Sequence, residues 1–299
     1  MPVRVIESKQ NSRVKELRQA LAQPGRRGDG TVGIEGRNLL VEALRAKLPI
    51  RTVFVAKDSE GLLDGLSLPA KTEVLVLPAS VLASAQATET PQPVAALIEP
   101  PDWSWAHILS NHGSAGKHGS ASKDGSAARN EGAALILVLA GIQDPGNLGT
   151  ILRSAEAFGA SGVVSLPGTV NAWNSKAVRA SAGSVFRVPL VAASEKICIA
   201  HLREAGVRIL ATTVRGATPA GLVDMADSVA IVIGNEGNGI ADDLIAKSDA
   251  SITIPCPGAV ESLNAAMAAT VLLYEAARQR SAVSGGPAKR QAKGRGAGR

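Results

Sequence analysis

The sequence predicts an α/β protein with a parallel sheet in its C-terminal half and a smaller α/β unit before it. Short β-branched runs alternate with longer stretches of helical periodicity between residues 133 and 281, which is typical of a parallel sheet covered on both faces. The length of 299 residues, about twice that of a typical domain, allows each unit its own core.

Most elements follow from these patterns. In the C-terminal unit, the apolar runs predict strands at 135–139, 162–165, 207–211, 229–233 and 250–254. The periodic stretches between and after them predict helices at 150–158, 175–182, 195–204, 241–247 and 263–280. In the N-terminal unit, the same reasoning predicts a helix at 36–46 and strands at 51–55 and 73–77.

Two segments of biased composition divide the chain. Residues 108–132 are rich in Ser, Gly, Ala, Asn and His and lack periodic apolar residues, which is typical of a flexible linker. Residues 284–299 are rich in Gly, Ala, Lys and Arg and predict a solvated, disordered tail, with tethering of RNA as the alternative. We therefore expect an N-terminal domain at 1–106, a linker at 107–132, a second domain at 133–281 and a basic tail at 282–299.

The composition restricts the partners. The net charge is +6, but five Lys and Arg residues without an acid lie at 288–299, so bulk charge argues only weakly for a nucleic-acid partner. Aromatic residues are 2% of the chain, which argues against base stacking on an aromatic platform. Cys198 and Cys256 lack metal-ligand spacing, so we expect neither a disulfide nor a metal site.

The chain also lacks the signals of membrane insertion and export. No apolar run approaches the roughly 18 residues that a transmembrane helix needs. The first residues have no apolar core or cleavage site of a signal peptide. We expect a cytoplasmic protein with no membrane partner.

The first motif that carries chemistry is Asp144-Pro-Gly-Asn147-Leu-Gly149-Thr-Ile-Leu-Arg153, directly after the strand at 135–139. Asn147 is expected to cap the helix that follows, which places Arg153 in its second turn at the carboxyl edge of the sheet. Open α/β sheets bind their ligands at this edge. The alternative is a capped helix with a surface arginine.

The second motif, Gly234-Asn-Glu236-Gly-Asn-Gly239, is a glycine-rich turn at the end of the strand at 229–233. Its glycines allow the backbone to approach a ligand closely. The spacing is neither that of a phosphate-binding Walker loop nor that of the dinucleotide fingerprint. A purely structural turn is the alternative.

The third motif, Ile254-Pro-Cys-Pro-Gly258-Ala-Val-Glu-Ser262-Leu-Asn264, leads into the long helix at 263–280. Ser262 offers a hydroxyl and Asn264 an amide at the helix entrance, and no histidine stands beside them to make Ser262 a nucleophile. The alternative for Ser262 is a helix cap.

Taken together and in this order, the three motifs closely resemble the signature motifs of the SpoU (TrmH-like) RNA 2'-O-ribose methyltransferases of the SPOUT superfamily. The resemblance covers about residues 134–281 and includes the segment from Lys176 to Pro189. Glu35-Gly36-Arg37 and the segment from Glu89 to Gln92 resemble the N-terminal substrate-binding domain of this family, which is similar to a ribosomal-protein fold that grips RNA.

The resemblance implies methylation of a ribose 2'-hydroxyl in structured RNA, with 23S ribosomal RNA as the expected substrate and S-adenosylmethionine as methyl donor. It also implies a C-terminal trefoil knot and a homodimer. Helix 263–280 has an apolar face suited to a dimer, formed by Leu263, Met267, Val271, Leu272 and Tyr274.

The resemblance also implies the residues of the site. The implied cofactor-binding residues are Thr212, Thr213, Gly216, Gly234, Ile254 and Leu263. The implied catalytic residues are Asn147, Arg153, Glu236, Ser262 and Asn264.

For the mechanism, we expect Asn264 and Ser262 to position the ribose, and Arg153 to hold a substrate phosphate and stabilise the developing alkoxide. Action of Arg153 as the general base is the alternative, although a guanidinium is almost always protonated. Two other functions remain open, methylation of transfer RNA and binding of RNA without catalysis. The sequence does not separate a housekeeping role from antibiotic resistance, and it gives no reason to expect DNA as a partner.

Overall fold

The computed structural model of the protein describes residues 3–24, 30–86, 88–109, 132–214, 216–235, 237–260 and 262–283. Its N-terminal unit holds a mixed sheet in the order β1-β4-β3-β5-β2, with β2 at one edge. The elements of this unit are, in chain order, β1 (Val3–Val5), α1 (Ser12–Ala22), β2 (Val32–Glu35), α2 (Arg37–Arg45), β3 (Ile50–Ala56), β4 (Glu73–Leu77), α3 (Ala79–Ala83) and β5 (Val94–Ile98).

The C-terminal unit is built on a parallel sheet in the order β10-β12-β9-β11-β6-β7-β8. β6 and β11 pair in its middle and are buried except at their last residues, which explains their continuous apolar sequences. Its elements are α4 (Trp105–Leu109), β6 (Leu135–Ala140), α5 (Pro145–Ala157), β7 (Gly162–Ser165), α6 (Ser175–Ala180), β8 (Leu190–Ala192), α7 (Glu195–Glu204), β9 (Arg208–Thr212), β10 (Thr218–Pro219), β11 (Val229–Gly234), α8 (Asp242–Ala246), β12 (Ala250–Thr253) and α9 (Ala265–Val283).

The predicted fold class is confirmed, and the five predicted strands of the C-terminal unit lie within one residue of β6, β7, β9, β11 and β12. The chain crossing that would make a trefoil knot stays a prediction. The predicted start of α5 at residue 150 is wrong, because the helix begins five residues earlier, at Pro145. The helix predicted at 263–280 is α9, which begins two residues after the predicted start, at Ala265, and continues to Val283. The sequence patterns did not predict β1, β2, β5, β8, β10, α1, α3 or α4.

Ordered chain extends into the segment predicted as a linker. Helix α4 includes Ile108, whose side chain is fully buried against β7. A Cβ added at Gly162 of β7 would lie 2.7 Å from Ile108 Cγ1, so this contact depends on the glycine. Residues 110–131 and 284–299, which include most of the predicted linker and tail, lie outside the described residues.

The far end of α9 is fixed to the sheet by a half-buried arginine. Arg280 donates hydrogen bonds of 2.7–3.0 Å to the backbone carbonyls of Ala133, Ala134, Met225 and Asp227. Burial lowers the pKa of Arg280, although a guanidinium stays charged at neutral pH. These bonds anchor α9 at the amino ends of β6 and β11, so its first residues are held at the opposite, carboxyl edge. In the part of the chain that the structure describes, no helix combines the length and the hydropathy that a membrane span requires.

Candidate active site

A cavity of about 540 Å³ opens at the carboxyl edge of the C-terminal sheet. Three neighbouring parallel strands, β9, β11 and β12, end at its wall, and the first turns of α9 close another side. The lining is mostly apolar side chains and exposed backbone, and includes Thr212, Thr213, Ile233, Gly234, Asn235, Ile252, Ile254, Cys256, Ser262, Leu263, Ala268 and Leu272. Ligand sites of open α/β sheets lie at this edge because consecutive strand ends and their loops meet there.

The glycine-rich turn after β11 forms one wall of the cavity. Asn235 and Gly239 exchange two backbone hydrogen bonds of 3.1 and 2.9 Å, which fold the turn back on the end of the strand. A Cβ at Gly234 would lie 2.5 Å from the carbonyl carbon of Gly239, so only glycine allows this close approach. Glu236, a predicted catalytic residue in this turn, lies outside the described residues.

Asn235 holds the turn together and was missed by the sequence reasoning. Its Oδ1 accepts hydrogen bonds from the backbone N–H groups of Gly237 at 2.7 Å and Asn238 at 3.2 Å. Its Nδ2 donates to the carbonyl oxygen of Gly141, just after β6, at 2.7 Å. The signal was available, because an Asn within a glycine turn commonly bonds the backbone two residues on.

The first and third motifs meet at the start of α9, whose first turns close one side of the cavity. Asn264 Nδ2 donates to Asn147 Oδ1 at 3.1 Å, which joins the start of α9 to the start of α5. Asn264 Oδ1 also accepts from the N–H groups of Ala266 at 2.8 Å and Met267 at 3.3 Å, so Asn264 caps α9. The alternative that Ser262 is the cap is therefore wrong, and Ser262 lies in the cavity wall.

The expectation that Asn147 caps α5 is also wrong. Asp144 is the cap, and its Oδ1 accepts from the N–H of Asn147 at 2.8 Å. Lys176 Nζ donates to the other carboxylate oxygen at 3.0 Å, and these two bonds hold the pKa of Asp144 below its ordinary value. The side chain of Asn147 therefore does not cap α5, and its Oδ1 accepts the hydrogen bond from Asn264.

Arg153 lies on the exposed surface of α5, in its third turn rather than the predicted second, because the helix begins earlier. Among the described residues it has no hydrogen-bond or ion-pair partner, and it does not line the cavity. The next residue, Ser154, shares a hydrogen bond of 2.6 Å with Thr270 of α9, so α5 and α9 are tied together beside Arg153. The arginine is a cation held on a fixed helix with its guanidinium available to a ligand.

The predicted cofactor residues are mostly brought together. Five of the six, Thr212, Thr213, Gly234, Ile254 and Leu263, line the cavity. Gly216 does not, and lies exposed in a left-handed conformation with φ of 69°. The sequence reasoning missed Ala268 and Leu272, which complete the wall from α9, because the first was hidden in an alanine-rich run and the second was assigned to a dimer face.

A parallel α/β sheet with a cavity of about 540 Å³ at its strand ends defines a protein of the α/β class with a small-molecule site at the carboxyl edge of its sheet. Residues 134–274 match the model of the SpoU rRNA Methylase family, and residues 11–96 match that of the MRM3-like substrate binding domain. The chain is 30% identical over 269 residues to the 23S rRNA (guanosine(2553)-2'-O)-methyltransferase RlmP of Bacillus subtilis, covering 90% of this chain and 97% of the relative. The chain therefore belongs to the SpoU rRNA methylase family.

Two solved structures support the same assignment. The AdoMet-bound rRNA methyltransferase from Sinorhizobium meliloti superposes with a TM-score of 0.75 at 28% identity, covering 92% of this chain and 98% of that one. The SpoU methyltransferase AviRb from Streptomyces viridochromogenes, in complex with AdoMet, gives a TM-score of 0.73 at 26% identity, covering 91% and 99%. The predicted family is confirmed.

Proposed function

We propose that this protein transfers a methyl group from S-adenosylmethionine to a ribose 2'-hydroxyl of 23S ribosomal RNA. The enzyme class and the methyl donor follow from membership of the family. The choice of RNA is supported by the named substrate of the Bacillus subtilis relative, which matches nearly the whole chain. The observation that carries the proposal is that the second and third motifs line one strand-end cavity, while the first motif is joined to the third by the Asn264–Asn147 hydrogen bond.

The cavity suits the methyl donor by size and by chemistry. Its volume of about 540 Å³ lies within the range of roughly 300–1,000 Å³ that is usual for small-molecule sites. Ile233, Ile254 and Leu272 offer apolar surface for a flat aromatic base, and the glycine turn offers backbone at close range. We infer that Thr212, Gly234 and Leu263 belong to the binding wall.

When bound, S-adenosylmethionine supplies a sulfonium methyl group that an oxygen nucleophile can attack. The residues of this chain must then hold the ribose hydroxyl in line, since alignment alone can lower a barrier by several kcal/mol. Asn264 is suited to this because Asn147 and two backbone N–H groups fix its side chain. Ser262, in the cavity wall, offers the second polar contact.

We assign to Arg153 the binding of the charged group of the substrate. We infer that its guanidinium holds an RNA phosphate and stabilises the negative charge that develops on the ribose oxygen. Its exposed position on α5, the helix whose first turn carries the Asn147–Asn264 contact, leaves room for a polyanion. Because a guanidinium stays protonated, electrostatic stabilisation accounts for its presence better than proton abstraction does.

The N-terminal unit favours ribosomal over transfer RNA. Residues 11–96 match a substrate-binding domain, and the match to the Bacillus subtilis relative covers both units. We infer that this unit binds structured RNA and that the protein works in the cytoplasm, where that RNA is assembled into ribosomes.

The proposal is tested by mapping 2'-O-methylated riboses in total RNA from cells with and without this chain. One position in 23S ribosomal RNA should lose its methyl group and regain it when the gene is restored. The counterpart of the guanosine named for the Bacillus subtilis relative is the first to inspect. Loss of a transfer-RNA methyl group instead would establish the alternative substrate, and an unchanged map would contradict the proposal.

We also propose that the protein works as a homodimer through α9. Met267, Val271 and Tyr274 are exposed by 62%, 41% and 55%, which is unusual for large apolar side chains. The predicted dimer face was too wide, because Leu272 is buried and both Leu272 and Leu263 line the cavity.

The expected result is a dimer in light scattering at micromolar concentration, and a monomer for the Val271→Glu variant, since a charge at the centre of an apolar interface is costly. Ile197→Glu, at an exposed apolar residue of α7, is the matched control and should stay dimeric. A monomeric wild-type protein would contradict the dimer.

A further inference from the structure

Two acidic residues of the N-terminal unit contact arginines of the C-terminal unit. Glu35 belongs to the Glu35-Gly36-Arg37 motif, and Glu42 lies on α2 just after it. Their partners are Arg179, within α6, and Arg187, seven residues after its end, in a segment that the proposed chemistry does not use. The Glu35–Arg179 pair and the Glu42–Arg187–Glu156 cluster are called the interdomain ion pairs below.

Glu35 is unusually buried for a carboxylate. Its side chain is 2% exposed, and it stands at the end of β2, the edge strand of the N-terminal sheet that packs against α6. Arg179 Nη1 lies 3.6 Å from its carboxylate, and the Thr88 hydroxyl donates to it at 3.2 Å. A carboxylate so buried is not accessible to a large RNA, and its contact is with the C-terminal unit instead.

Arg187 joins three elements. Its guanidinium forms a bidentate pair with Glu156 of α5, through Nε at 2.5 Å and Nη2 at 3.1 Å. Its remaining nitrogen, Nη1, donates to Glu42 of α2 at 2.8 Å. Hydrogen bonds from Arg187 hold the pKa of Glu156 below its ordinary value, so this carboxylate is charged at neutral pH. Glu156 follows Arg153 by one helical turn on the same helix.

The backbone at this contact is also closely fitted. Gly183 has a φ of 88°, and a Cβ added there would lie 2.6 Å from Glu42 Cβ. Buried residues of the two units, such as Ile34 and Leu40 on one side and Ile151 and Phe186 on the other, belong to a single continuous apolar cluster. The two units therefore have a defined contact in addition to the chain segment between them.

We propose that Arg179 and Arg187 are positioning residues that dock the N-terminal unit against α5, so that RNA held by this unit presents its target ribose at Arg153. The inference rests on the proposed function. A fixed unit raises the effective concentration of the ribose at the cavity, whereas a loosely tethered one spreads it over a larger volume. Removal of the docking should weaken use of a large RNA without changing the chemistry in the cavity.

The test compares wild-type protein with Glu42→Lys, which sets two cations against each other at the contact. Steady-state methylation is measured with a long 23S ribosomal RNA fragment and with a short hairpin that carries the same target ribose. Small-angle X-ray scattering without RNA measures the radius of gyration. We expect a larger radius and an increase of about tenfold in KM for the long fragment. The kcat on the short hairpin and the affinity for S-adenosylmethionine should stay within twofold of wild type.

Arg45→Ala is the matched control, since Arg45 pairs with the same Glu42 at 2.6 Å but on the exposed side of α2. It should behave as wild type in every measurement. An unchanged KM for the long fragment in Glu42→Lys would overturn the proposal, whatever the scattering shows. If Glu42→Lys does not fold, the nearly isosteric Glu42→Gln replaces it, and a KM equal to wild type would again overturn the proposal.

Failure of the proposed function gives a different result. If the wild-type protein methylates no RNA, the function fails, but scattering of Glu42→Lys and Arg45→Ala still decides the docking. An increased radius in the first variant alone supports the interdomain ion pairs as the docking contact, and equal radii contradict them.

Discussion

Replacement of Gly234 by alanine is expected to weaken binding of S-adenosylmethionine about 100-fold, because a forced contact costs up to about 3 kcal/mol. The added Cβ would meet the backbone of Gly239 at 2.5 Å and Ile240 Cγ1 at 2.8 Å. The backbone atoms of Gly239 cannot move without opening the paired turn that lines the cavity. The substitution therefore changes the shape of the proposed cofactor wall without removing a polar group.

Isothermal titration calorimetry measures the affinity, and thermal unfolding checks that the variant is folded. Gly221→Ala is the matched control, because nothing lies within 4 Å of its added Cβ and the residue stands outside the cavity. The control should bind as wild type. An affinity within threefold of wild type for folded Gly234→Ala would remove the glycine turn from the proposed binding site.

The five inner strands of the C-terminal sheet were predictable because they are covered on both faces, whereas the short edge strands β8 and β10 were not predicted. β11, Val229–Gly234, reads as a continuous apolar run with a glycine stop, and neither signal depends on distant residues. β5 of the N-terminal unit, Val94–Ile98, is as fully buried but was missed. Two of its residues are alanines, which carry little strand preference, and its position between β2 and β3 comes from tertiary pairing.

At the candidate site, the residue types were predictable but their local roles were not. Asp144 caps α5, and the proline after it stands at the first helical position, a combination that marks a helix start. This combination predicts Asp144 rather than Asn147 as the cap, and it predicts Pro145 as the first residue of the helix. The contact between Asn147 and Asn264 could not have been read from the sequence, since it depends on how α5 packs against α9.

The interdomain ion pairs illustrate the same limit for charged residues. The pattern around Glu35 indicated a substrate-binding domain, and a carboxylate in such a unit is expected on the surface. Its burial arises only because β2 is an edge strand that the sheet order directs toward α6. Charge and motif identify such residues, while topology decides whether they face RNA or another part of the chain.

Arg153→Ala is expected to slow methyl transfer by roughly 100-fold or more, in line with loss of one preorganised electrostatic contact. The residue lies outside the cavity wall, so affinity for S-adenosylmethionine should stay within twofold of wild type. Arg153→Lys keeps the charge but loses the planar fork that matches phosphate oxygens, so it should recover little of the rate. Because Arg153 is exposed and has no partner among the described residues, neither variant should lower the melting temperature noticeably.

Single-turnover methylation with saturating methyl donor and RNA measures the chemical step directly. Lys196→Ala, which removes an exposed cation from α7, controls for the loss of one positive charge and should react as wild type.

A pH profile separates the two roles of Arg153. A clamp leaves the pH dependence of the residual rate unchanged in Arg153→Lys, whereas a general base would shift its acidic limb, since lysine has a lower pKa than arginine. Rates equal to wild type in Arg153→Ala would show instead that this arginine is a surface residue of a capped helix with no part in the reaction.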